Sequence, residues 1–314
     1  MIRIGVVNID TSHPKSFGKY LEKNNRACFA GVYNDGFREE IEVNAFMKRF
    51  GVERLFSTVE ELADFTDIGF VQGIDWDKHL EHAIPFIKRG KPVFIDKPIV
   101  GCISDCNRIE QLVKNGAVIL GSSSLRYAEE IASFKALAKE TTGKILHIYG
   151  TAGNDEFFYA IHIVEAICQL AGAAPLSSRF VGRAKEAKTI VECFFVEFEN
   201  GATATYTTCQ GVGQPFEIVI TTEKSTYQFK VDTTRIYAVL LDTICDYMET
   251  KINRLAPIKN IADSVRIMIA GRVSRDMGGI AVKINDLAEN QGYSGTEFID
   301  EYRQQRPKKI YMEP

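Results

Sequence analysis

The sequence predicts a two-domain α/β protein, in which a doubly wound parallel sheet is followed by an α+β domain with a largely antiparallel sheet. The chain has 314 residues, which is more than one hydrophobic core usually serves. Over residues 1–122 short apolar runs alternate with helical patterns, and over residues 123–314 strand-like runs follow one another more closely. We therefore expect one domain over residues 1–122 and a second over residues 123–314.

In the first domain, five short and nearly continuous apolar runs are predicted to be strands, at residues 2–7, 27–33, 68–74, 92–95 and 118–120. Helices between the strands are predicted from helix-start signals and from apolar faces. The start signals are Pro14 in a first turn, the capping pair Thr58 and Glu61, and Ser104 as a cap. The apolar faces are formed by Ile41, Ala45 and Phe46 and by Leu80, Ala83, Ile84 and Ile87. This alternation favours parallel strands with right-handed crossovers. It predicts a Rossmann-type domain that binds its ligand beyond the carboxyl ends of the strands.

The second domain has strand-like runs at residues 145–149, 190–198, 202–209, 217–222 and 226–231. Asn200 and Gly201 between two of these runs are a strong hairpin signal. Helices are predicted through Ile131, Phe134 and Leu137, over residues 157–170, and near the carboxyl terminus through Ile244, Tyr247 and Met248 and through Val265, Ile267, Met268 and Ile269. We expect an antiparallel sheet with helices on one face.

The composition is that of a globular protein, with 45% hydrophobic and 25% charged residues. A net charge of −3 gives no electrostatic reason to expect nucleic acid or a membrane as a partner. Seven scattered cysteines fit reduced thiols in a cytosol better than a disulfide framework. No apolar stretch resembles a signal peptide or a transmembrane helix, so we expect a cytoplasmic protein.

Lys97 is the sharpest single feature, because it stands at the end of a predicted strand between Asp96 and Pro98. Proline restricts the residue before it to extended conformations, which directs Lys97 beyond the strand end. A partly desolvated lysine there can have a lowered pKa and serve in proton transfer. From position alone, a surface lysine paired with Asp96 is an equally good interpretation.

Tyr159, His162 and Glu165 follow one another at steps of three on an otherwise apolar helical pattern, so we expect them to share a face. Such a polar stripe is either a satisfied seam in the core or the lining of a cleft towards the first domain. Three polar groups on one face favour the cleft.

The loop after the first strand, with Asn8, Asp10, Thr11, Ser12 and His13, lies where a dinucleotide fold holds its pyrophosphate. The positions of the three glycines of the G-x-G-x-x-G fingerprint are taken by Asn8, Asp10 and His13. A carboxylate at Asp10 repels phosphate unless it is protonated or counter-charged, whereas Ser12, His13 and the helix start can donate to an anion. These residues alone support dinucleotide binding only weakly.

Two further clusters stand at strand ends. Asn34 and Asp35 follow the second strand, where an acidic residue can bind a ribose 2′-hydroxyl or simply form a turn. His79 and His82 lie three apart, with Asp75 upstream, which is either half of a metal site or, more often, a solvated helix start. We predict no metal.

The order of these features resembles the Gfo/Idh/MocA oxidoreductase family over nearly the whole chain. Its most specific part is the segment AIPFIKRGKPVFIDKPIV, residues 83–100, which is similar to the family segment that ends in Glu-Lys-Pro, with Asp96 in place of glutamate. The segment FFYAIHIVEAICQLAG, residues 157–172, is similar to the family helix with the catalytic histidine, here His162. Phe158 stands where many members have an aspartate.

The resemblance implies an NAD(P)-dependent dehydrogenase or reductase acting on a CH–OH group of a sugar, cyclitol or related polyol. Lys97 and His162 would be catalytic, with His162 as general acid/base. Cofactor contacts would come from Asn8, Asp10, Thr11, Ser12, His13, Asn34, Asp35, Asp75, His79, Asp96 and Lys97, and substrate contacts from Arg126, Tyr159 and Glu165. Asp35 favours NAD over NADP.

The resemblance also implies an oligomeric state. The family commonly buries the open sheet face in homodimers or homotetramers, so we expect a homo-oligomer. The alternative to an enzyme is a catalytically inactive binding or regulatory protein that keeps the fold, and its support is the glycine-free loop at residues 8–13.

Overall fold

The structure is a computed structural model that describes residues 1–121, 123–137, 139–305 and 311. The first domain contains a six-stranded parallel sheet of order β3-β2-β1-β4-β5-β6, as the sequence predicts. Its strands are β1 (Ile2–Val7), β2 (Ala27–Tyr33), β3 (Arg54–Leu55), β4 (Ile68–Val71), β5 (Val93–Ile95) and β6 (Ile119–Gly121). Its helices are α1 (His13–Asn24), α2 (Glu40–Phe50), α3 (Val59–Phe65), α4 (His79–Lys88) and α5 (Ile103–Lys114). The predicted doubly wound fold is confirmed, and this strand order places a ligand cleft at the carboxyl ends of β1 and β4.

The second sheet has seven strands in the order β12-β11-β7-β10-β9-β8-β13. The strands are β7 (Ile145–Asn154), β8 (Pro175–Glu186), β9 (Thr189–Phe198), β10 (Thr203–Gln210), β11 (Glu217–Thr222), β12 (Thr226–Lys230) and β13 (Val282–Lys283). Every pair is antiparallel except β7 with β10. The largely antiparallel α+β fold is therefore confirmed, while the division at residues 122 and 123 stays a prediction.

The remaining helices are α6 (Glu129–Ala136), α7 (Lys139–Thr142), α8 (Ile161–Ala171), α9 (Ile236–Thr250), α10 (Ile258–Asp276) and α11 (Gly295–Gln305), with short 3-10 turns at Trp76–Lys78, Ser124–Tyr127 and Ile284–Asp286. Helices α8 and α10 pack against each other, and α10 also packs against β8 and α5. Helix α9 follows the second sheet in the chain but packs against α1, where Tyr20 donates a hydrogen bond to Asp242. The two sheets are thus joined through helices.

Several local predictions are corrected by the structure. Ile41 is exposed, and α2 buries Val43 together with Phe46, which the predicted face includes. Leu137 is also exposed, just past the end of α6. Cys102, and not Ser104, is the N-cap residue of α5, which begins two residues earlier than the cap signal indicates. The capping of α3 is as predicted, with the Thr58 hydroxyl accepting the Glu61 N–H.

The predicted helix over residues 157–170 begins only at Ile161. Residues 156–160 form turns, because the carboxylate of Asp155 accepts the backbone N–H groups of Phe157 and Tyr159 at 3.0 and 2.9 Å. Such a local bond competes with helix formation. Tyr159 therefore precedes the helix that carries His162.

All seven cysteines are free thiols. Within the described part of the chain, no helix combines the length and the apolar character that crossing a membrane requires. The same residues contain no cluster of three or more His, Cys, Asp or Glu side chains suited to a metal ion.

Candidate active site

A cavity of about 210 Å³ lies where the carboxyl edge of the parallel sheet meets the second domain. It is small against the roughly 300–1,000 Å³ of drug-sized ligand sites, so it suits a small molecule. Its lining combines hydroxyl, imidazole, amine and aromatic groups and comes from both domains: Thr11, Ser12, His13, Lys97, Ser124, Phe158, Tyr159, His162, Phe216, Thr233, Ile236, Tyr237 and Tyr302.

Lys97 reaches this cavity from the end of β5. The backbone N–H of Asp96 still pairs with the carbonyl of Val71 on β4, after which the chain leaves the sheet through a cis peptide bond between Lys97 and Pro98. The buried ammonium donates to the carbonyl of Phe158 at 3.2 Å and lies 3.4 Å from the centroid of the Phe158 ring. The lysine of the first domain is therefore held against the second domain, inside the cavity wall.

His162 enters the cavity from the first turn of α8. Its Nδ1 lies 2.5 Å from the hydroxyl of Ser123, and its ring contacts the rings of Tyr159 and Phe216 edge-on. Burial lowers the pKa of His162 well below its usual range, and the positive charges of Lys97 and His13 lower it further. The lowered pKa keeps the imidazole neutral, which is the protonation state that a general base requires.

Glu165 and Arg126 lie behind His162 and do not line the cavity. One carboxylate oxygen of Glu165 accepts the Arg126 Nε–H at 2.6 Å and the backbone N–H of Ser123 at 3.1 Å. Both side chains are almost fully buried, and Arg126 also donates to Asn260. The pair thus positions Ser123, which in turn contacts His162.

Breaking this buried ion pair is expected to destabilise the protein. Arg126→Met leaves the Glu165 carboxylate buried without its cation, which typically costs about 3–5 kcal/mol. The matched control is Arg235→Met, because Arg235 pairs with Glu129 at the surface, where a single ion pair contributes ~1 kcal/mol or less. Urea unfolding followed by circular dichroism measures both free energies, and equal losses in the two variants would contradict the assignment.

His13 forms a second buried pair with Asp96. Its Nδ1 lies 2.5 Å from the Asp96 carboxylate, its ring stacks on Phe17, and its centroid is 6.5 Å from that of His162. Burial alone would raise the pKa of Asp96, but His13 and Lys97 outweigh it and lower the pKa. Two imidazoles and one ammonium therefore converge on the cavity.

Asn8 takes over the conformational role of a fingerprint glycine. Its φ of +65° lies in the left-handed region, which asparagine tolerates better than most residues. Its side-chain carbonyl accepts the N–H groups of Asp35 and Gly36, and its side-chain amide donates to the Asp35 carboxylate. The loop therefore forms the turn after β1 without glycine. The Asn8 side chain also connects the end of β1 to the loop after β2 through these hydrogen bonds.

Asp10 is buried within the loop and fills the space between strand ends. Its carboxylate accepts the N–H groups of Phe37 and Ile74, each at 3.1 Å, and burial raises its pKa to about 6. A Cβ at Gly36 would lie 2.2 Å from an oxygen of Asp10, so residue 36 must be glycine for this packing. Two backbone donors at the sheet edge are thus already satisfied by a carboxylate of the chain itself.

The other predicted cofactor residues do not line the cavity. The Asn34 amide oxygen accepts the Ile9 N–H, and Asp35 contacts both His82 and Lys78. The two ring nitrogens of His79 face the backbone carbonyls of Gly73 and Ile99. Asp75 caps the turn that precedes α4. Of the predicted site residues, the cavity unites Thr11, Ser12, His13, Lys97, Tyr159 and His162, with Asp96 directly behind it.

Sequence reasoning missed Ser123, Ser124, Tyr237 and Tyr302. The Ser124 hydroxyl is buried at the cavity and has no hydrogen-bond partner among the described residues. An unpartnered buried hydroxyl is costly, so it indicates a polar ligand group at this point. The run of serines after β6 was the only available signal, because Tyr237 and Tyr302 come from helices distant in the chain.

Comparison with known proteins identifies the class. Residues 2–123 match the family model GFO_IDH_MocA, described as an oxidoreductase family with an NAD-binding Rossmann fold. The chain matches no curated protein. Solved structures with the same fold cover both domains, and two of them are dehydrogenases from Lactobacillus casei.

The myo-inositol dehydrogenase in complex with NAD(H) and myo-inositol has a TM-score of 0.79 at 13% identity, covering 92% of this chain and 98% of that chain. The scyllo-inositol dehydrogenase with NAD(H) and scyllo-inositol has a TM-score of 0.78 at 13% identity, covering 91% of this chain and 100% of that chain. GenD2 from gentamicin A biosynthesis, in complex with NAD, has a TM-score of 0.77 at 15% identity, covering 90% of this chain and 96% of that chain.

At these identities the likeness shows the fold, which is that of two-domain dehydrogenases. The family model places an NAD-binding Rossmann fold of an oxidoreductase family over residues 2–123. The predicted family resemblance, the oxidoreductase class and NAD as the cofactor of that class are thereby confirmed.

Proposed function

We propose that the chain is an NAD-dependent dehydrogenase that acts on a CH–OH group of a cyclitol, sugar or related polyol. The observation that carries the proposal is the placement of Lys97 and His162, from different domains, on one cavity of about 210 Å³. The inositol dehydrogenases with this fold, which contain NAD(H) and an inositol, support a polyol as substrate.

Lys97 would donate a hydrogen bond to the reacting oxygen, since its ammonium is a fixed cation in a buried wall. A positive group at that oxygen stabilises the negative charge that develops as the hydroxyl loses its proton. His162, held neutral, would take this proton at the imidazole nitrogen opposite the one that contacts Ser123. The unpartnered Ser124 hydroxyl would bind a further substrate hydroxyl.

Thr11, Ser12 and His13, from the loop after β1, border the cavity and would hold the pyrophosphate of the dinucleotide. The partly exposed Asp35 carboxylate, after β2, would bind a ribose hydroxyl. NAD, when bound, supplies the acceptor for the hydride of the substrate carbon. Asn8 would shape the loop, and the pair of His13 and Asp96 would orient the groups beside Lys97.

The test is the formation of NADH from NAD with a panel of inositols, aldoses and sugar acids. We expect saturable turnover with at least one polyol and a preference for NAD over NADP. Turnover with none of them, although NAD binds, would favour the non-catalytic alternative.

We further propose that the chain forms a homodimer or homotetramer through the outer face of the seven-stranded sheet. That face carries half-buried or exposed apolar side chains, including Val181, Val191 and Phe195. Such a patch on a monomer indicates an interaction surface. Sedimentation equilibrium should give a dimer or tetramer that Phe195→Glu weakens by at least tenfold, and a wild-type monomer at micromolar concentration would contradict the proposal.

A further inference from the structure

The groove that a Rossmann-type domain offers to a dinucleotide runs along the carboxyl ends of β2, β1 and β4. In this structure helix α11 and Tyr311, from the carboxyl-terminal part of the chain, contact the loops after β1, β2 and β4 that border this groove. Asn8, Ile9, Asp10 and Thr11, which would approach the pyrophosphate, are all buried.

Tyr311 packs against the loop after β1. Its single hydroxyl proton is shared between the carbonyls of Ile9 and Thr11, which lie 2.9 and 3.0 Å from the phenol oxygen. Its ring packs edge-on against Phe46 of α2, with 5.4 Å between the centroids, and only 8% of the residue is exposed. The phenol thus covers the backbone of Ile9 and Thr11 in the loop that holds the pyrophosphate in a Rossmann-type domain.

Helix α11 contacts the loops after β4 and β2, which lie on either side of the loop after β1. Near its start, the Thr296 N–H donates to Asp77 at 3.1 Å and the Thr296 hydroxyl contacts Asp75. Further along, Tyr302 packs between the rings of Phe37 and Phe158, from the loop after β2 and from the cavity wall. The helix therefore contacts the loops of β4 and β2, which would flank the adenosine half of the cofactor.

We propose that this carboxyl-terminal cover and NAD compete for one groove, so that the enzyme is autoinhibited until α11 and Tyr311 move away. The inference rests on the proposed function in taking NAD as the ligand. When only a small fraction of a protein is in the state that binds the ligand, the apparent dissociation constant equals the intrinsic one divided by that fraction. Loosening the cover should therefore tighten cofactor binding without any change in the residues that touch the cofactor.

The test is a fluorescence titration of the full chain with NADH. Tyr311→Phe removes the hydrogen bond that the phenol shares between Ile9 and Thr11 and should tighten NADH binding by roughly five- to tenfold. Tyr311→Ala also removes the packing on Phe46 and should tighten it more, while Thr296→Val should act in the same direction from the other end of the cover. Tyr227→Phe is the matched control, because it removes a hydroxyl from β12 of the second domain, and it should leave the affinity unchanged.

Hydrogen–deuterium exchange of the unmodified chain gives an independent measurement. Addition of NADH should speed exchange in residues 295–305 and slow it in residues 8–13. Equal NADH affinities in all variants, or slower exchange in α11 with NADH, would overturn the competition. If Tyr311→Ala binds NADH tightly but oxidises no polyol, only the proposed reaction fails. If no variant binds NADH, the competition and the proposed cofactor fail together.

Discussion

Lys97→Met is expected to lower kcat/KM for the polyol by about 10³-fold while NADH binding changes by no more than a few-fold. The substitution removes the single ammonium of the cavity wall but keeps the length of the side chain and its packing on Phe158. The loss should fall mainly on kcat, because the charge matters most as the reacting oxygen becomes negative. Steady-state kinetics and NADH titration together separate the two effects.

Lys97→Arg serves as the matched control. It keeps the positive charge, but a planar guanidinium cannot occupy the site of a compact ammonium in a buried wall, so we expect only partial recovery of activity. Retention of more than half of the wild-type kcat/KM by Lys97→Met would mean that Lys97 is structural.

His162→Asn is expected to lower kcat by about 10²- to 10⁴-fold, the range for loss of a general base. Asparagine keeps a polar group towards Ser123 but cannot accept a proton at neutral pH. The control is His147→Asn on β7, where the histidine contacts Thr203 and is remote from the cavity, and its kinetics should match the wild type.

The pH dependence follows from the lowered pKa of His162. Burial and the positive charges of Lys97 and His13 disfavour the imidazolium, so the residue stays neutral where an ordinary histidine would already be protonated. The activity that needs this base is lost only as the pH falls through the lowered pKa. We therefore expect that titration of His162 causes no fall of kcat/KM at pH values above the ordinary histidine pKa of about 6.5. A fall of kcat/KM in that range that disappears in His162→Asn would contradict the lowered pKa of His162.

The alternating half of the fold was predictable because its signals are local. The strands β1, β2 and β5 are short apolar runs that end in turns, and the parallel arrangement follows from the helices between them. Strand β8 was missed, because much of its length is exposed and polar and has no clear alternation. Helix α11 was missed because its buried face is built from aromatic residues that pack on groups far away in the sequence.

The part of the site that could be predicted consists of residues that stand out by a local sequence pattern. Lys97 was found from a strand end and a proline, and His162 from a polar stripe within an apolar helix. The bond from Ser123 to His162, the pair of His13 and Asp96, and the cover by Tyr311 arise between distant elements, so no local pattern encodes them. The left-handed conformation of Asn8 shows that the missing first glycine is a substitution that the loop accommodates.

In the proposed reaction, hydride leaves a CH–OH carbon in the cavity between Lys97 and His162. It is tested most directly with a polyol that carries deuterium on the carbinol carbon and with unlabelled NAD, followed by mass spectrometry of the cofactor. We expect deuterium in the NADH formed by the wild-type chain, and we expect this labelled NADH to form about 10³-fold more slowly in Lys97→Met. NADH that forms at the wild-type rate in Lys97→Met, or cofactor that never acquires deuterium from any polyol, would contradict it.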